Sequence, residues 1–211
     1  MGYRNEIKKR VMERGIPWLA HFTNIRNLEG IVEHGLLSRA ELDERGLKAL
    51  GTDHWRLDGD MRASSLSVSG INYAMLDRKR RDYPRAVWAV VFFQSSVLWT
   101  HECRFCFRNA AHKALTGNNK FRGGPWGFDT MFEDKALTVS FEGGSYRTEQ
   151  GIAPHVPTRS DAEVQVRERI APELIMGVCV HRAYLAVGMQ ALMDRLNRED
   201  GGDRNVLVEE F

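Results

Sequence analysis

Apolar and polar positions change period several times along this chain, and each change predicts an element. Residues 3–14 repeat at helical spacing with Ile7 and Val11 inward, which predicts a basic amphipathic helix. Trp18-Leu19-Ala20 is a short apolar run that predicts a buried strand, and it ends in His-Phe-Thr. Leu28, Ile31 and Val32 then recur at helical spacing; Thr23 or Asn24 suits the cap of that helix and Gly35 its stop. Between 36 and 62 the pattern is helical or irregular, punctuated by Gly46, Gly51 and Gly59. "SLSVS" (65–69) alternates as a strand does, "INYAML" (71–76) reads as a short helix, and "AVWAVVFF" (86–93) is the strongest buried strand. "NAAHKAL" (109–115) reads as a short helix with an Asn cap. The stretch 116–161 is rich in glycine and polar groups, with "ALTVSF" (136–141) as its strand. Strand "AEVQV" (162–166), a turn at Pro172, strand "IMGVCV" (175–180), a helix over 183–197 and a last strand "VLVEE" (206–210) complete the order. Strands and short helices interleave without a repeating βαβ rhythm, so the expected class is α+β in a single domain over 1–211.

Composition narrows the function. With 211 residues and 43% hydrophobic positions the chain can bury a sizeable core, and a net charge of +2 does not by itself mark a nucleic-acid binder. Charge distribution says more: "RKRRDYPR" (78–85) holds five basic residues, and Arg104, Arg108, His112, Lys113, Lys120 and Arg122 form a second basic region. Such clusters attract phosphates, although most are simply solvated faces. No apolar run approaches the roughly 18 residues of a membrane span, and the mixed-charge start lacks the core of a secretory signal. Three cysteines without an export signal fit a reducing cytoplasm.

Candidate chemistry begins where the first strand meets its helix. His21 and Thr23 stand there, and unpaired helix N–H groups at such a junction favour anions. A lone His in that place equally serves as a hydrogen-bonded strand-edge residue. "HECRFCFRNAAH" offers His101, Cys103, Cys106 and His112 to zinc, but the alternating "RFCF" would send the two cysteines to opposite faces, so no metal is expected. Glu163 starts a strand after a long polar loop, where a carboxylate either solvates an edge or is positioned for catalysis. There is no Gly-rich phosphate loop and no nucleophile elbow.

The order of a strand ending in His-Phe-Thr, a Ser-rich strand followed by a helix with Tyr73, and a late Glu resembles the ADP-ribosyltransferase pattern. More closely, "HFTNIRNLEGIVEHGLL", "RLDG", "SLSVSGINYAM", "RNAAH", "DTMFED" and "DAEVQVRERIAPELI" resemble the DarT family of toxins that ADP-ribosylate DNA bases. These blocks span roughly residues 18–181, and they are nearer the guanosine-directed branch than the thymidine-directed one, which tends to carry "PFYF" where this chain has "SLSVS". Gly70 departs from the Pro expected before Asn-Tyr. The resemblance implies split, mostly antiparallel sheets flanked by short helices around an NAD cleft. It implies NAD+ as co-substrate, a pentosyl transfer to single-stranded DNA, and a macrodomain antitoxin of the DarG kind as partner. It assigns Glu163 as the catalytic carboxylate and Arg56, with Arg62 as rival, as the grip on the pyrophosphate, for which a bidentate guanidinium is suited. His21, Thr23, Asn27, Tyr73 and Met75 would line the cofactor side. Arg147, His155 and Arg159 in the loop before Glu163, with Arg80 and Arg81, would meet DNA phosphates, provided these regions share a face with Glu163. Two other readings stay open: a transferase acting on RNA, protein or a small molecule, and a non-catalytic NAD or nucleic-acid binding module.

Overall fold

The computed structural model describes residues 2–51, 59–112, 115, 123–134, 145–209 and 211. The chain opens with helix α1 (Tyr3–Arg14), whose Ile7 and Val11 are buried and whose end is closed by Gly15 in the left-handed region. Strand β1 (Trp18–Asn24) runs on past the apolar triplet to include His21 and Thr23. Asn24 then caps a 3₁₀ turn (Ile25–Asn27) by accepting from the Arg26 N–H, and helix α2 (Leu28–His34) follows. Gly35 stops α2 with φ 84°, and any side chain there would collide with the Ile170 carbonyl. A reciprocal Ser38–Glu41 capping box starts α3 (Arg39–Glu44).

β2 (Ser64–Val68) buries Ser64, Leu66 and Val68 on one side. Helix α4 (Tyr73–Asp82) is capped by the Asn72 side chain and runs well beyond the six residues expected from the sequence, carrying the whole Arg-Lys-Arg-Arg run. β3 (Trp88–Gln94), α5 (Val97–Thr100), β4 (Cys103–Cys106), α6 (Gly124–Thr130) and α7 (Tyr146–Glu149) come next. The expected helix over 109–115 is not seen where the chain is described: residues 110–112 form a turn. The expected strand 136–141 lies outside the described residues. β5 (Glu163–Val166), a 3₁₀ turn (Pro172–Leu174), β6 (Ile175–Val180), α8 (Ala183–Asp200) and β7 (Asn205–Val208) complete the chain.

Among the described residues the strands make one seven-membered order, β4-β5-β2-β1-β3-β6-β7. Every pairing is antiparallel except β6 with β7, which run parallel around α8. The α+β class with mostly antiparallel pairing holds. The main core lies on one side of the sheet, where Ile7, Leu28, Phe128 and Met193 of four helices meet Leu19, Leu66, Val91, Val164 and Val178 of five strands.

The sheet is split at its middle. β1 pairs along its full length with β3, but with β2 through two positions only, Leu19↔Val68 and Ala20↔Ser67. Beyond them β1 continues on β3 from His21 to Asn24, while β2 continues on β5 from Leu66 to Ser64. The strands diverge, and backbone groups freed by the divergence need other partners. The His21 ring supplies one, for its Nδ1 lies 3.0 Å from the Ser65 carbonyl. A carbonyl only accepts, so Nδ1 carries the proton and the imidazole spans the opening.

Candidate functional site

A cavity of about 640 Å³ occupies this split. His21 and Thr23 from β1, Asn27 from the 3₁₀ turn, Ser64–Ser67 from β2, Asn72 at the cap of α4, Met75 from α4, and Glu163 from β5 all line it. Volumes of this size suit a dinucleotide-sized or drug-sized ligand. Five of the residues singled out in the sequence, His21, Thr23, Asn27, Met75 and Glu163, therefore meet in one place. Tyr73 is not on the cavity wall; it is about half exposed at the first turn of α4.

Alternation explains how β1 and β5 reach the same space. His21 and Thr23 follow Leu19 at spacing two and share its side, which α2 covers. On β5, Val164 and Val166 enter the main core, so Glu163 and Gln165 face the other way. In a continuous sheet these two sets would be separated by backbone. The split joins them.

Glu163 is only 8% exposed. An ionised carboxylate so placed costs several kcal/mol unless polar groups hold it. The Asn109 amide donates to Oε2 at 3.1 Å, and the Ala110 N–H donates to Oε1 at 3.0 Å. Asn109 and Ala111 also line the cavity. The sequence pattern makes Asn109 a helix cap; its Oδ1 does accept from the Ala111 N–H, but its amide nitrogen reaches the carboxylate. Nothing local in the sequence signals that second bond.

Thr23 and Asn27 form another part of the wall. Asn27 Nδ2 donates to Thr23 Oγ1 at 3.0 Å and to the Leu50 carbonyl at 3.1 Å, and its Oδ1 accepts from the Leu50 N–H at 2.8 Å. The amide thus staples segment 47–51 beside the cavity. Arg39 lines the wall against Gly51, where any Cβ would meet its guanidinium. Arg26, Lys48, Arg78 and Lys79 add positive charge around the same space. Arg56 lies outside the described residues. Its rival Arg62 is exposed, pairs with Glu44 at 2.7 Å and is not part of the wall.

The residues expected to meet DNA are dispersed and mostly engaged. Arg80 pairs with Asp77 at 3.2 Å and donates to the Phe211 carbonyl, with its guanidinium over the Phe211 ring. Arg81 is exposed on α4. Arg147 donates to Thr158 Oγ1 and to the Ala153 and Val156 carbonyls, which knots the turn before β5. Arg159 donates to Asp161 at 2.9 Å, where Arg108 also binds. Burial opposes the charge on Asp161, but the Arg159 hydrogen bond and the two guanidiniums outweigh it and hold the carboxyl below its ordinary range. His155 is half-buried on the same loop.

Among the described residues no group of three or more His, Cys, Asp or Glu is placed to hold a metal ion. Cys103 lies in the main core and Cys106 in a separate small cluster with Ala110 and Leu115. Burial and then the Glu168 carboxylate push the Cys103 thiol upward, away from ligating character. Among the described residues no helix is long and apolar enough to cross a membrane.

No family model matches this sequence, and no curated protein does. Solved structures do match. The chain superimposes over 92% of its length on 95% of a Thermus sp. 2.9 DarT chain in complex with carba-NAD+, with a TM-score of 0.56 and 11% identity. A Thermus sp. 2.9 DarT in complex with ADP-ribosylated ssDNA matches over 93% of this chain and 95% of that one, with a TM-score of 0.53 and 13% identity. Thermosipho africanus DarTG in complex with ADP-ribose matches at a TM-score of 0.51 and 16% identity; this chain covers 92% of itself there and spans half of that chain. The chain shares its fold with these DarT structures.

Proposed function

We propose that this chain is an NAD-dependent ADP-ribosyltransferase of the DarT kind, which transfers ADP-ribose from NAD+ to a base of single-stranded DNA. The observation that carries the reading is Glu163: a buried, hydrogen-bonded carboxylate on the wall of a cavity that also holds His21 and Thr23. The DarT structures that share this fold were solved with carba-NAD+, with NAD+ and with ADP-ribosylated ssDNA, which supports the choice of co-substrate and acceptor.

In this reading the bond between the ribose C1′ and the nicotinamide nitrogen breaks, and nicotinamide leaves with the bonding electrons. The sugar passes through an oxocarbenium-like state, as in glycoside cleavage. A nitrogen of the acceptor base then bonds to C1′ and gives up its proton to the Glu163 carboxylate, which passes it to solvent. Glu163 stabilises the positive sugar and orients its hydroxyl or the incoming base. His21 and Thr23 hold the nicotinamide ribose side, and Asn27 and Met75 shape the pocket, with Tyr73 at its approach. Arg56 remains our assignment for the pyrophosphate. Arg81 and His155 are the positions we assign first to DNA phosphates, with Arg80, Arg147 and Arg159 acting through the segments they hold. A base must leave its stack to reach such a cavity, so single strands are favoured over duplex. Guanine as acceptor and a DarG-like macrodomain as partner follow from the resemblance to the guanosine-directed branch.

Incubation of the full chain with labelled NAD+ and oligonucleotides, guanine replaced one position at a time, tests the proposal. Label is expected on single-stranded, guanine-containing DNA and not with Glu163→Ala. Efficient labelling of RNA or protein with none on single-stranded DNA would transfer the assignment to another acceptor.

A further inference from the structure

We infer that Asn109 is a positioning residue for Glu163: its amide, together with the Ala110 N–H, fixes the plane of the carboxylate at the cavity wall. The inference rests on the function proposed above and adds a residue to which the resemblance gave no role.

The topology brings the two together. Cys106↔Glu163 is the final rung between β4 and β5, and the chain turns back over the end of β5 directly after it. Three residues later Asn109 meets one carboxylate oxygen and Ala110 the other, at 3.1 and 3.0 Å. The last torsion of a glutamate is soft, with a broad and nearly two-fold profile. A single donor would leave the group free to swing about that contact, whereas one donor on each oxygen sets its plane.

The amide itself is oriented. Asn109 Oδ1 accepts from the Ala111 N–H at 3.1 Å, and the Asn109 carbonyl accepts from the His112 N–H at 2.8 Å. Exchanging Oδ1 and Nδ2 would turn an oxygen toward the carboxylate and an amino group toward a backbone donor, so one assignment satisfies both neighbours. The Asn109 amide and the Ala110 N–H are neutral donors, and they orient the carboxylate. A carboxylate accepts at about four sites, of which this clamp uses two.

A chain in which Asn109 merely satisfied a buried group would lose stability on substitution and little else. A positioning role predicts a loss in turnover. Steady-state transfer from NAD+ to a single-stranded oligonucleotide, with thermal melting alongside, compares wild type, Asn109→Ala, Asn109→Asp and Glu163→Ala. For folded Asn109→Ala we expect kcat to fall about 10- to 100-fold, the scale for a reacting group displaced by up to an ångström. KM for NAD+ should stay within about twofold, because ground-state binding is untouched. Asn109→Asp keeps the oxygen facing Ala111 but sets a second carboxylate against the first. Like charges at that distance favour protonation of one, so the acid limb of its kcat profile should move to higher pH.

An Asn109→Ala protein with wild-type kcat, a loss confined to KM, or an Asn109→Asp profile with an unmoved acid limb would overturn the inference. Should Asn109→Ala fail to fold, the Asn109→Asp profile decides. Glu163→Ala separates the two levels of argument. If it still transfers ADP-ribose at the wild-type rate, the proposed function of Glu163 fails. If it is inactive while Asn109→Ala is unimpaired, only the role of Asn109 fails.

Discussion

Asp161 and Glu163 are two carboxylates two residues apart, and the chain handles them in opposite ways. Asp161, on the flank of the site, sits between the guanidiniums of Arg108 and Arg159 at 3.4 and 2.9 Å. Glu163, on the cavity wall, is clamped by an amide and a backbone N–H. A guanidinium both orients a carboxylate and neutralises it; a neutral donor only orients it. Asp161 therefore ties the loop before β5 to the segment after β4, and the same sheet end holds Glu163 at the cavity wall. Burial alone does not distinguish a structural acid from a candidate catalytic one. Place on the cavity wall does.

The largest test of that contrast removes the wall carboxylate. Glu163→Ala should lower kcat by about 10³-fold or more while NAD+ affinity changes by less than about threefold, because stabilisation is lost in the transition state and not in the ground state. Single-turnover transfer and calorimetric titration of the same preparation measure the two halves. Asp161→Asn, carried through the same assays, should leave the chemical step within about threefold of wild type, which a role confined to structure requires.

A second test concerns the cations. Arginines already paired with carboxylates have little to offer a phosphate, whereas exposed Arg81 has its charge toward solvent. Binding to a single-stranded oligonucleotide should weaken with salt at a log–log slope of roughly −2 to −3.5, the value for three to five phosphate contacts. Arg81→Ala should flatten the slope by about 0.7, one contact's share. Fluorescence titrations over a salt series read it directly, and an unchanged slope would remove Arg81 from the track.

Much of the site was legible in the sequence because it sits at element ends. His21 and Thr23 lie where an apolar run yields to a helical repeat, and Glu163 lies where a polar loop yields to a strand. Those are local signals. The split of the sheet was legible only through the resemblance, since it depends on the β1–β2 ladder stopping after two pairs. The parallel β6–β7 pair escaped notice for the same reason: pairing direction is not written in either strand. Helix α4 looked short because Arg78–Asp82 reads as a charged surface segment. In the structure Arg78–Asp82 and Asp77–Arg80 pair at helical spacing and nothing breaks the helix before Pro84. Asn109 was visible as a cap but not as a clamp, because its partner is 54 positions away.

A third effect is expected for the pyrophosphate. Arg56→Ala should weaken NAD+ binding by about 1.5–3 kcal/mol, the range for hydrogen bonds to charged groups. Arg62→Ala should change it little, since that side chain pairs with Glu44 away from the wall. Calorimetry giving unchanged affinity for Arg56→Ala would move the assignment to Arg78 or Arg39, both of which line the cavity.

The smallest effect returns to Asp161 and is read in stability. Its carboxyl is held below the ordinary value of 3.8 when folded, so the folded protein favours its ionised form. A group depressed in this way stabilises the fold fully above its unfolded value and loses that contribution as pH falls through its folded value. Asp161→Asn should therefore cost stability at neutral pH, by about 0.5–1 kcal/mol for partly exposed ion pairs. The difference from wild type should be constant down to about pH 4 and shrink below it, as Asp161 takes up a proton and the Arg108 and Arg159 contacts lose their charge partner. Denaturant melts of the two proteins at neutral pH and at successively more acid pH measure it. A difference that persists unchanged in acid would mean that Asp161 acts through its shape and hydrogen bonds, and the contrast with Glu163 would then rest on geometry alone.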